Sequence, residues 1–318
     1  MGKGQAFKNV ICLGHLLDAK GKKMSKSVGN VVDPWEMIEK YGVDTLRLWM
    51  YSVNQPGESK NFDEKTVALL NQQVFGLLYN VLAFYELYRD KSLENKTENI
   101  EPDNILDQWI LVRLVELSNL CTENMDEYRL LEPVRAIREF INDLSTWYLR
   151  RSRDTIKSGD ESTKQTLYFV LKTLAKIMAP FAPLSAEDIW MKLKNETDVE
   201  SVHLASWPDV GDMGRYDVVE FMQRTREIVS LGLEARQQAK IQVRQPLARI
   251  LVKDLKLKGD YLALIKDELN VKEVVEDNAL GKEVELDTVI TPELKAEGDY
   301  REFVRALQEA RKRQGLNP

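Results

Sequence analysis

Long amphipathic helices dominate the middle of the chain and constrain its fold more than any other feature. Apolar residues recur at intervals of three and four from residue 67 to 88, the period of an α-helix with one buried face. They are Val67, Leu70, Val74, Leu77, Val81, Phe84 and Tyr88. The same period returns over 110–125, 134–148 and 162–179, after a polar break at 94–104. Such helices, joined by modest loops, predict an antiparallel bundle over 61–210 in a mainly α protein.

The segments on either side of the bundle show different patterns. Short apolar pieces flank a Gly- and Lys-rich loop within 7–32, and we predict a strand at 10–13, the loop, and then an extended piece. Asp33 followed by Pro34 predicts a helix start, because aspartate caps a helix and proline fits its first position. Gly42 predicts its end.

The end of the bundle and the last third of the chain mix helices with short strands. A helix is predicted from Ser185 to Leu193, and residues 201–204 are predicted to be extended. A long helix over 216–240 precedes predicted strands at 248–253, 271–276 and 283–290, a helix at 261–269 and a last helix reaching about Arg313. This pattern predicts a small α+β unit. We therefore expect three domains: 1–60, the bundle at 61–210, and 211–318.

Composition bounds the class of protein. The chain has two cysteines and two histidines among 318 residues, which favours reduced, structural thiols in a cytoplasmic protein and no zinc site. We identify no long uncharged apolar run of the kind that spans a membrane, and no membrane partner is expected. Residues 1–8 lack the apolar segment of a signal peptide.

The charge distribution is more informative than the formal net charge of −6. Residues 1–30 contain six lysines and one aspartate, and residues 146–157 contain three arginines, one lysine and one aspartate. A single basic patch is usually a solvated face. Two such patches on recognisable motifs favour an anionic ligand at each.

The first patch centres on the loop from Gly21 to Asn30. Its sequence, GKKMSKSVGN, offers three ammonium groups and two hydroxyls between glycines. Glycine allows a tight or moving loop, and lysine is a point charge on a flexible stem that suits a phosphate changing position during a reaction. Such a loop could clamp the triphosphate of ATP. A lysine-rich loop on its own would more often be a solvated basic turn.

Residues 23–27 match, letter for letter, the KMSKS signature, so this segment resembles the class I aminoacyl-tRNA synthetases. The similarity extends over residues 14–49, which include Gly29-Asn30, Asp33-Pro34 and Tyr41-Gly42-Val43-Asp44. The segment is most similar to the isoleucine, valine and leucine enzymes.

The resemblance implies ATP-binding residues at Lys23, Met24, Ser25, Lys26 and Ser27. Lys26 would carry the main electrostatic role when the carboxylate of the amino acid attacks the α-phosphate, and Lys23 would assist. ATP would bind with Mg²⁺, and no zinc is expected. A lone histidine is more often a structural residue than a catalytic one, and we assign no catalytic role to His15.

The second patch lies on a predicted helix with the sequence WYLRRSRD from Trp147 to Asp154. Three arginines within four positions suit a helix end that meets phosphates and bases. Trp147 and Tyr148 are adjacent, so we expect one ring in the core and the other facing a groove, although two core aromatics with solvated arginines remain an alternative.

The Trp-Tyr-x-Arg-Arg-Ser-Arg run resembles the isoleucyl-tRNA synthetase version of this helix. By that resemblance Trp147, Arg150, Arg151 and Arg153 would contact tRNA(Ile). Residues 201–208 and 238–247 also resemble this group.

The chain lacks parts of the sequence pattern of this family. The chain has no His-x-Gly-His signature and no room for an editing domain. We therefore expect a C-terminal piece of an isoleucine–tRNA ligase that is inactive alone, with its isoleucine pocket in a missing N-terminal part. The alternatives are a valyl- or leucyl-tRNA synthetase fragment, or a tRNA-binding accessory protein without catalysis.

Overall fold

The computed structural model describes residues 4–92, 102, 104–211 and 216–316. It divides the chain into two compact units, Met1–Arg215 and Tyr216–Pro318. The mainly α fold predicted from the sequence is confirmed. The division into 1–60, 61–210 and 211–318 stays a prediction, as does the polar break at 94–104 outside residues 102 and 104.

The first unit is built almost entirely of helices. Its only paired strands among the described residues are β1 (Leu16–Leu17) and β2 (Lys60–Asn61), which run parallel. The α-helices are α1 Pro34–Tyr41, α2 Val43–Ser52, α3 Glu64–Asn71, α4 Leu77–Tyr88, α5 Ile105–Asp126, α6 Leu131–Asn142, α7 Arg150–Lys157, α8 Glu161–Met178 and α9 Pro183–Leu193. A π-helical turn, Gln72–Gly76, joins α3 to α4, and a second, Asp143–Leu149, joins α6 to α7.

Side-chain caps explain why several of these helices start where they do. The carboxylate of Asp33 accepts a hydrogen bond from the backbone N–H of Trp35 at 2.8 Å, and Pro34 occupies the first helical position. Asp63 caps α3 in the same way, and Asp160 caps α8. Each cap satisfies an amide that the helix itself cannot pair.

The core of the bundle lies where α5 packs against α6 and α8. Large apolar side chains fill it with almost no exposure, among them Trp109, Ile110, Leu114, Phe140 and Leu171. Each contributes about 1.5–3 kcal/mol by leaving water. The packing of several helices around one core is the architecture that the periodicity predicts.

Because of the π turn at Gln72–Gly76, part of the buried face predicted for residues 67–88 is wrong. Val67, Leu70, Val74 and Val81 are buried as predicted, whereas Leu77, Phe84 and Tyr88 are only half-buried. The positions that are buried instead are Leu78, Leu82 and Tyr85. A π turn inserts a residue into the α-helical period, so a prediction based on a constant period no longer identifies every buried position beyond it.

The statement that no long uncharged apolar run exists is wrong for residues 66–85, which contain no charged side chain. The helical stretch Glu64–Tyr88 is long and apolar enough to cross a membrane by length and composition alone. In the structure its residues Val67, Leu78 and Val81 are fully buried within the first unit. Core helices of globular proteins pass the same test, and the absence of a membrane partner stays a prediction.

Three local predictions are corrected. Residues 10–13 form no strand and are exposed, because pairing begins only at Leu16, where β2 provides a partner. Residues 201–204 contain a 3₁₀ turn, Val202–Leu204, started by the Ser201 hydroxyl. Helix α9 begins at Pro183 rather than Ser185, since the carboxylate of Asp44 on α2 accepts the Ser185 amide at 2.6 Å.

The second unit is the predicted small α+β fold. It contains α10 Asp217–Gln238, β3 Leu247–Val252, α11 Asp260–Leu269, β4 Val271–Glu276, β5 Val284–Leu286 and α12 Pro292–Arg313. The strand order is β4-β3-β5, with β3 parallel to β4 and antiparallel to β5. Helix α11 provides the crossover that a parallel pair requires. Strand β5 is shorter than the predicted 283–290.

A buried arginine fixes the connection between α10 and β3. Arg236 is 1% exposed, and its guanidinium donates to the carbonyl oxygens of Gln242, Gln245 and Asn270 at 3.0–3.1 Å. Burial lowers the pKa of Arg236 to about 10, because an apolar environment disfavours its charge. The connection is therefore held by a side chain rather than by strand pairing.

Candidate functional site

The loop at residues 21–30 begins just after β1, where the chain folds back on itself. Leu17 pairs with Lys23 in an antiparallel bridge, and the amide of Asp18 donates to the carbonyl of Lys22 at 2.8 Å. Gly21 has a φ of +75°, a conformation that glycine adopts without steric cost. The chain therefore turns back sharply just before the first lysine of the motif.

Two side chains to which the sequence motifs assign no role hold this turn together. The carboxylate of Asp18 accepts from the backbone amides of Lys20 and Lys22, and from the side-chain amide of Asn30 at 2.8 Å. The side-chain oxygen of Asn30 accepts from the Ser25 amide at 2.9 Å. The bond from Asn30, followed by that from Lys22, lowers the pKa of Asp18, since both stabilise the ionised carboxylate. An aspartate three residues before a glycine is a common turn signal, and it could have drawn attention to Asp18.

The second half of the loop is a tight turn over residues 25–29. The amides of Val28 and Gly29 donate to the carbonyl of Ser25 at 3.2 Å, and Gly29 has a φ of +71°. The hydroxyls of Ser25 and Ser27 lie 2.8 Å apart and share a hydrogen bond. The two serines thus shape the backbone around Lys26.

The lysines of the loop point to solvent. Lys22, Lys23 and Lys26 are exposed, and within the described part of the chain none of them forms an ion pair. Met24 is half-buried. Unpaired ammonium groups on an ordered backbone can bind an anion without first breaking an internal ion pair.

The loop rests on the parallel pair of β1 and β2. The amides of Lys60 and Phe62 donate to the carbonyls of His15 and Leu17 at 2.8 Å. Gly14 approaches residue 58 so closely that an added Cβ would lie 2.1 Å from the carbonyl oxygen of Glu58. Only glycine allows these two backbones to approach so closely.

A pocket of about 280 Å³ lies beside this platform. Its lining includes His15, Arg47, Met50, Tyr51 and Lys60. The ring of His15 makes no hydrogen bond to any described residue, whereas its backbone carbonyl belongs to the β1–β2 pairing. The structure therefore ties His15 to the fold through its backbone.

The second predicted site lies where the π turn Asp143–Leu149 passes into α7. Arg150 and Arg153 are exposed, and Arg151 is half-buried. The guanidinium of Arg150 lies 5.6 Å from the centroid of the Trp147 ring, and that of Arg153 lies 5.4 Å from the Phe84 ring. Each of these two guanidinium groups thus lies over an aromatic ring, and the Nε of Arg150 also donates to the carbonyl of Thr146 at 2.8 Å.

Of the two alternatives for the adjacent aromatic rings, the structure shows two core aromatics, and the expectation that one ring faces outward is wrong. Trp147 is 7% exposed and Tyr148 is completely buried. The hydroxyl of Tyr148 donates to the carboxylate of Asp107 at 2.6 Å. Both rings therefore lie inside the π turn, and Arg150 covers Trp147 from the solvent side.

The carboxylate of Asp107 is the centre of a buried polar cluster. Besides the Tyr148 hydroxyl it accepts from the hydroxyl of Thr163 at 3.0 Å and from the side-chain amide of Asn104 at 2.6 Å. Burial raises the pKa of Asp107 above its ordinary value, although these hydrogen bonds oppose the shift. The cluster ties α5, α8 and the π turn together beneath the arginines.

Within residues 4–92, 102, 104–211 and 216–316, no group of three or more His, Cys, Asp or Glu side chains could hold a metal ion. The expectation that no zinc is bound stays a prediction.

The chain matches known proteins at both candidate sites. Residues 1–63 match the family model "tRNA synthetases class I (I, L, M and V)", and residues 107–252 match the "Anticodon-binding domain of tRNA ligase". An isoleucine–tRNA ligase of Clostridium novyi is 36% identical over 96% of this chain and 30% of its own length. That of Chlamydia muridarum is 41% identical over 85% of this chain and 27% of its own length.

Among solved structures, a LeuRS–tRNA–LeuAMS complex from Agrobacterium radiobacter K84 is similar over 78% of this chain and 26% of that one. Its TM-score is 0.49 at 19% identity. The chain spans about 30% of the length of the curated relatives it matches. With curated relatives at 35–41% identity over most of its residues, the chain belongs to the class I aminoacyl-tRNA synthetase family and is similar within it to the isoleucine–tRNA ligases.

Proposed function

We propose that this chain is the part of an isoleucine–tRNA ligase that supplies the ATP-clamping loop and the helices that bind the anticodon region of tRNA(Ile). The observation that carries the proposal is the ordered loop of exposed lysines within the segment related to class I synthetases. The arginine-bearing surface of α7 lies within the segment matched to anticodon-binding domains and supports the second half of the proposal. A cytoplasmic location follows, because that is where the bulk of translation takes place.

The lysines of the loop would act on ATP during amino-acid activation. The carboxylate of isoleucine attacks the α-phosphate, and pyrophosphate leaves with its negative charge. Lys26 would stabilise that charge as it develops, with Lys23 assisting, because an ammonium group aimed at the departing phosphates binds the transition state more strongly than the ground state. Mg²⁺ bound to ATP would neutralise part of the same charge.

Recognition of isoleucine belongs to the part of the relatives outside the matched span. Activation needs a pocket for the amino acid and a site for the adenosine, and we assign neither to residues described here. We infer that this chain alone does not catalyse isoleucine-dependent exchange of pyrophosphate into ATP.

The surface of α7 would bind RNA through Arg150, Arg151 and Arg153. Arg150 and Arg153 expose their guanidinium groups, which pair with phosphates or stack on unpaired bases. Trp147 is buried beneath Arg150, so its contribution to RNA binding would be through the orientation of that arginine.

Binding to tRNA tests the second half of the proposal. Replacing Arg150 and Arg153 by alanine should weaken binding of tRNA(Ile) at least tenfold and flatten its salt dependence, because each lost phosphate contact removes about 0.7–0.9 from the slope of log K against log salt. Replacing Arg301 and Arg305 in α12 removes the same charge from the other unit and serves as the control. Equal affinity in both variants would place the RNA surface elsewhere.

Specificity separates this proposal from its alternatives. Titrations with tRNA(Ile), tRNA(Val) and tRNA(Leu) should rank the isoleucine tRNA first. A preference for either other tRNA would indicate the valyl or leucyl enzyme, and equal binding of all three would favour a non-catalytic RNA-binding protein.

The loop is tested by complementing this chain with the remaining part of the Clostridium novyi relative. The mixture should catalyse isoleucine-dependent pyrophosphate exchange, and Lys26→Ala should reduce its rate at least a hundredfold while tRNA affinity stays unchanged. Lys22→Ala, which removes the same charge just outside the signature, should have a small effect. Similar losses in both variants would contradict the role given to Lys26.

A further inference from the structure

We propose that Asp18 and Asn30 are positioning residues, forming a latch that fixes the backbone on which Lys23 and Lys26 are carried. The proposal rests on the function proposed above for those two lysines. The latch is defined as the Asp18 carboxylate, the Asn30 side-chain amide and the hydrogen bonds that the two groups make.

The carboxylate of Asp18 holds the first half of the loop. Its Oδ1 accepts from the backbone amides of Lys20 at 2.9 Å and Lys22 at 2.8 Å. Its Oδ2 accepts from Nδ2 of Asn30 at 2.8 Å. One side chain thus closes the turn at Gly21 and reaches across to the end of the loop, twelve residues further along the chain.

The amide of Asn30 holds the second half. Its Oδ1 accepts from the Ser25 amide at 2.9 Å, and its Nδ2 also approaches the Lys23 carbonyl at 3.3 Å. The Lys23 carbonyl and the Ser25 amide flank Met24, so the backbone on either side of this residue is bound to one side chain. Lys26 follows directly, within the turn that the Ser25 carbonyl closes.

The latch restrains the backbone while leaving the lysine side chains free. All three exposed lysines keep their flexible stems, whereas the backbone segments between them are cross-linked. Binding of a triphosphate then orders side chains only, because the backbone is already ordered. Ordering a loop is costly, and that cost falls where the lysines contact the phosphates most strongly. Lys26 is proposed to do so in the transition state, so the latch should affect kcat more than KM for ATP.

The hydrogen bond between the two members of the latch requires an acceptor on one side chain and a donor on the other. In Asn30→Asp two carboxylates would face each other, and in Asp18→Asn two amide groups would. The double variant Asp18→Asn/Asn30→Asp reverses the donor and the acceptor and keeps an oxygen available for the amides of Lys20, Lys22 and Ser25. It gives up the longer 3.3 Å contact from Asn30 to the Lys23 carbonyl. Rescue by the double variant is expected of a latch and not of two residues with separate roles.

Amide hydrogen exchange in this chain provides the first readout and needs no catalysis. Each single variant should speed exchange at Ser25 and Lys22 about tenfold, the effect of losing roughly one charge-assisted hydrogen bond. The double variant should return to within about threefold of the wild type. Asn61→Asp adds the same charge beside Gly21 and should leave exchange unchanged.

Pyrophosphate exchange in the complemented enzyme provides the second readout. Each single variant should lower kcat about tenfold or more, with a smaller change in KM for ATP, and the double variant should recover most of the rate. Single variants that match the wild type in both readouts, or a double variant no better than the singles, would overturn the latch. An inactive wild-type mixture would count against the proposed function instead, while amide exchange would still decide the latch.

Discussion

Tyr148→Phe offers a sharp test of how the helix bearing the arginines is held. The Tyr148 hydroxyl is fully buried and donates to Oδ1 of Asp107 at 2.6 Å. The other oxygen of Asp107 keeps its donors, Thr163 and Asn104. The substitution therefore removes one hydrogen bond to a buried carboxylate and leaves the shape of the core unchanged.

The expected loss of stability follows from that single bond. A hydrogen bond to a charged group contributes about 1.5–3 kcal/mol, and a buried acceptor left without its donor carries the desolvation cost as well. We expect the free energy of unfolding of the first unit to fall by about 2 kcal/mol. With a urea dependence of about 2–3 kcal/mol per molar for a domain of this size, the midpoint should fall by roughly 0.7–1 M.

The effect should depend on pH. The Tyr148 hydrogen bond lowers the pKa of Asp107 against the upward effect of burial, so its removal raises the pKa of Asp107 further in the folded state. A group whose pKa is raised on folding binds its proton more tightly when folded, and stability then falls as pH rises through the folded pKa. The deficit of the variant should therefore be largest at neutral pH and shrink in acid.

Tryptophan fluorescence isolates the unit that the substitution affects. All six tryptophans lie between residues 35 and 207, within the first compact unit, so their emission reports its unfolding alone. Tyr128→Phe is the matched control, because it removes an exposed hydroxyl with one long hydrogen bond of 3.3 Å. A change below about 0.5 kcal/mol in Tyr148→Phe, or an equal change in the control, would refute the assignment of the buried cluster as a stabilising tie.

Two further predictions concern the thiols and the platform under the loop. Burial raises the pKa of Cys121 to about 12, whereas Cys12 is exposed. A thiol reagent should therefore label one cysteine in the native protein and two in denaturant, and rapid labelling of both in the native state would contradict this packing. Gly14→Ala should speed amide exchange in β2, because the added Cβ would lie 2.1 Å from the Glu58 carbonyl oxygen, whereas Gly57→Ala meets nothing closer than 3.4 Å. Equal exchange in these two variants would show that the close approach at Gly14 is not required.

The helices and the small sheet were predictable because their signals are local. Asp33-Pro34 fixed the start of α1, and the apolar period located the bundle helices to within a few residues. The residues of the KMSKS signature were likewise identified from the letters alone. Their catalytic and ATP-binding roles, and the tRNA contacts of the arginines, stay predictions.

The features that could not be predicted depend on contacts between side chains that are distant in the sequence. The latch joins Asp18 to Asn30, and the start of α9 depends on Asp44, more than a hundred residues away. The inward turn of Trp147 and Tyr148 has a different cause. Both rings turn inward because they lie in a π turn. The spacing of apolar residues does not reveal such a turn, because it assumes that every residue advances the helix by the same angle.

The two π turns also govern how the chain tolerates changes of length. A π turn holds one residue more than an α-helical turn, so deleting one residue from 143–149 would convert the turn to α-helix and leave the following residues close to their present directions. A deletion in a regular α-helix would instead rotate everything after it by about 100°. Arg153 would therefore keep Phe84 as its aromatic partner after a deletion inside the turn and lose it after a deletion in α6. A deletion between Gln72 and Gly76 would likewise leave Leu78 buried and its neighbour Leu77 half-buried. The two π turns are thus the positions in these helices where the loss of one residue would disturb the arginine surface least.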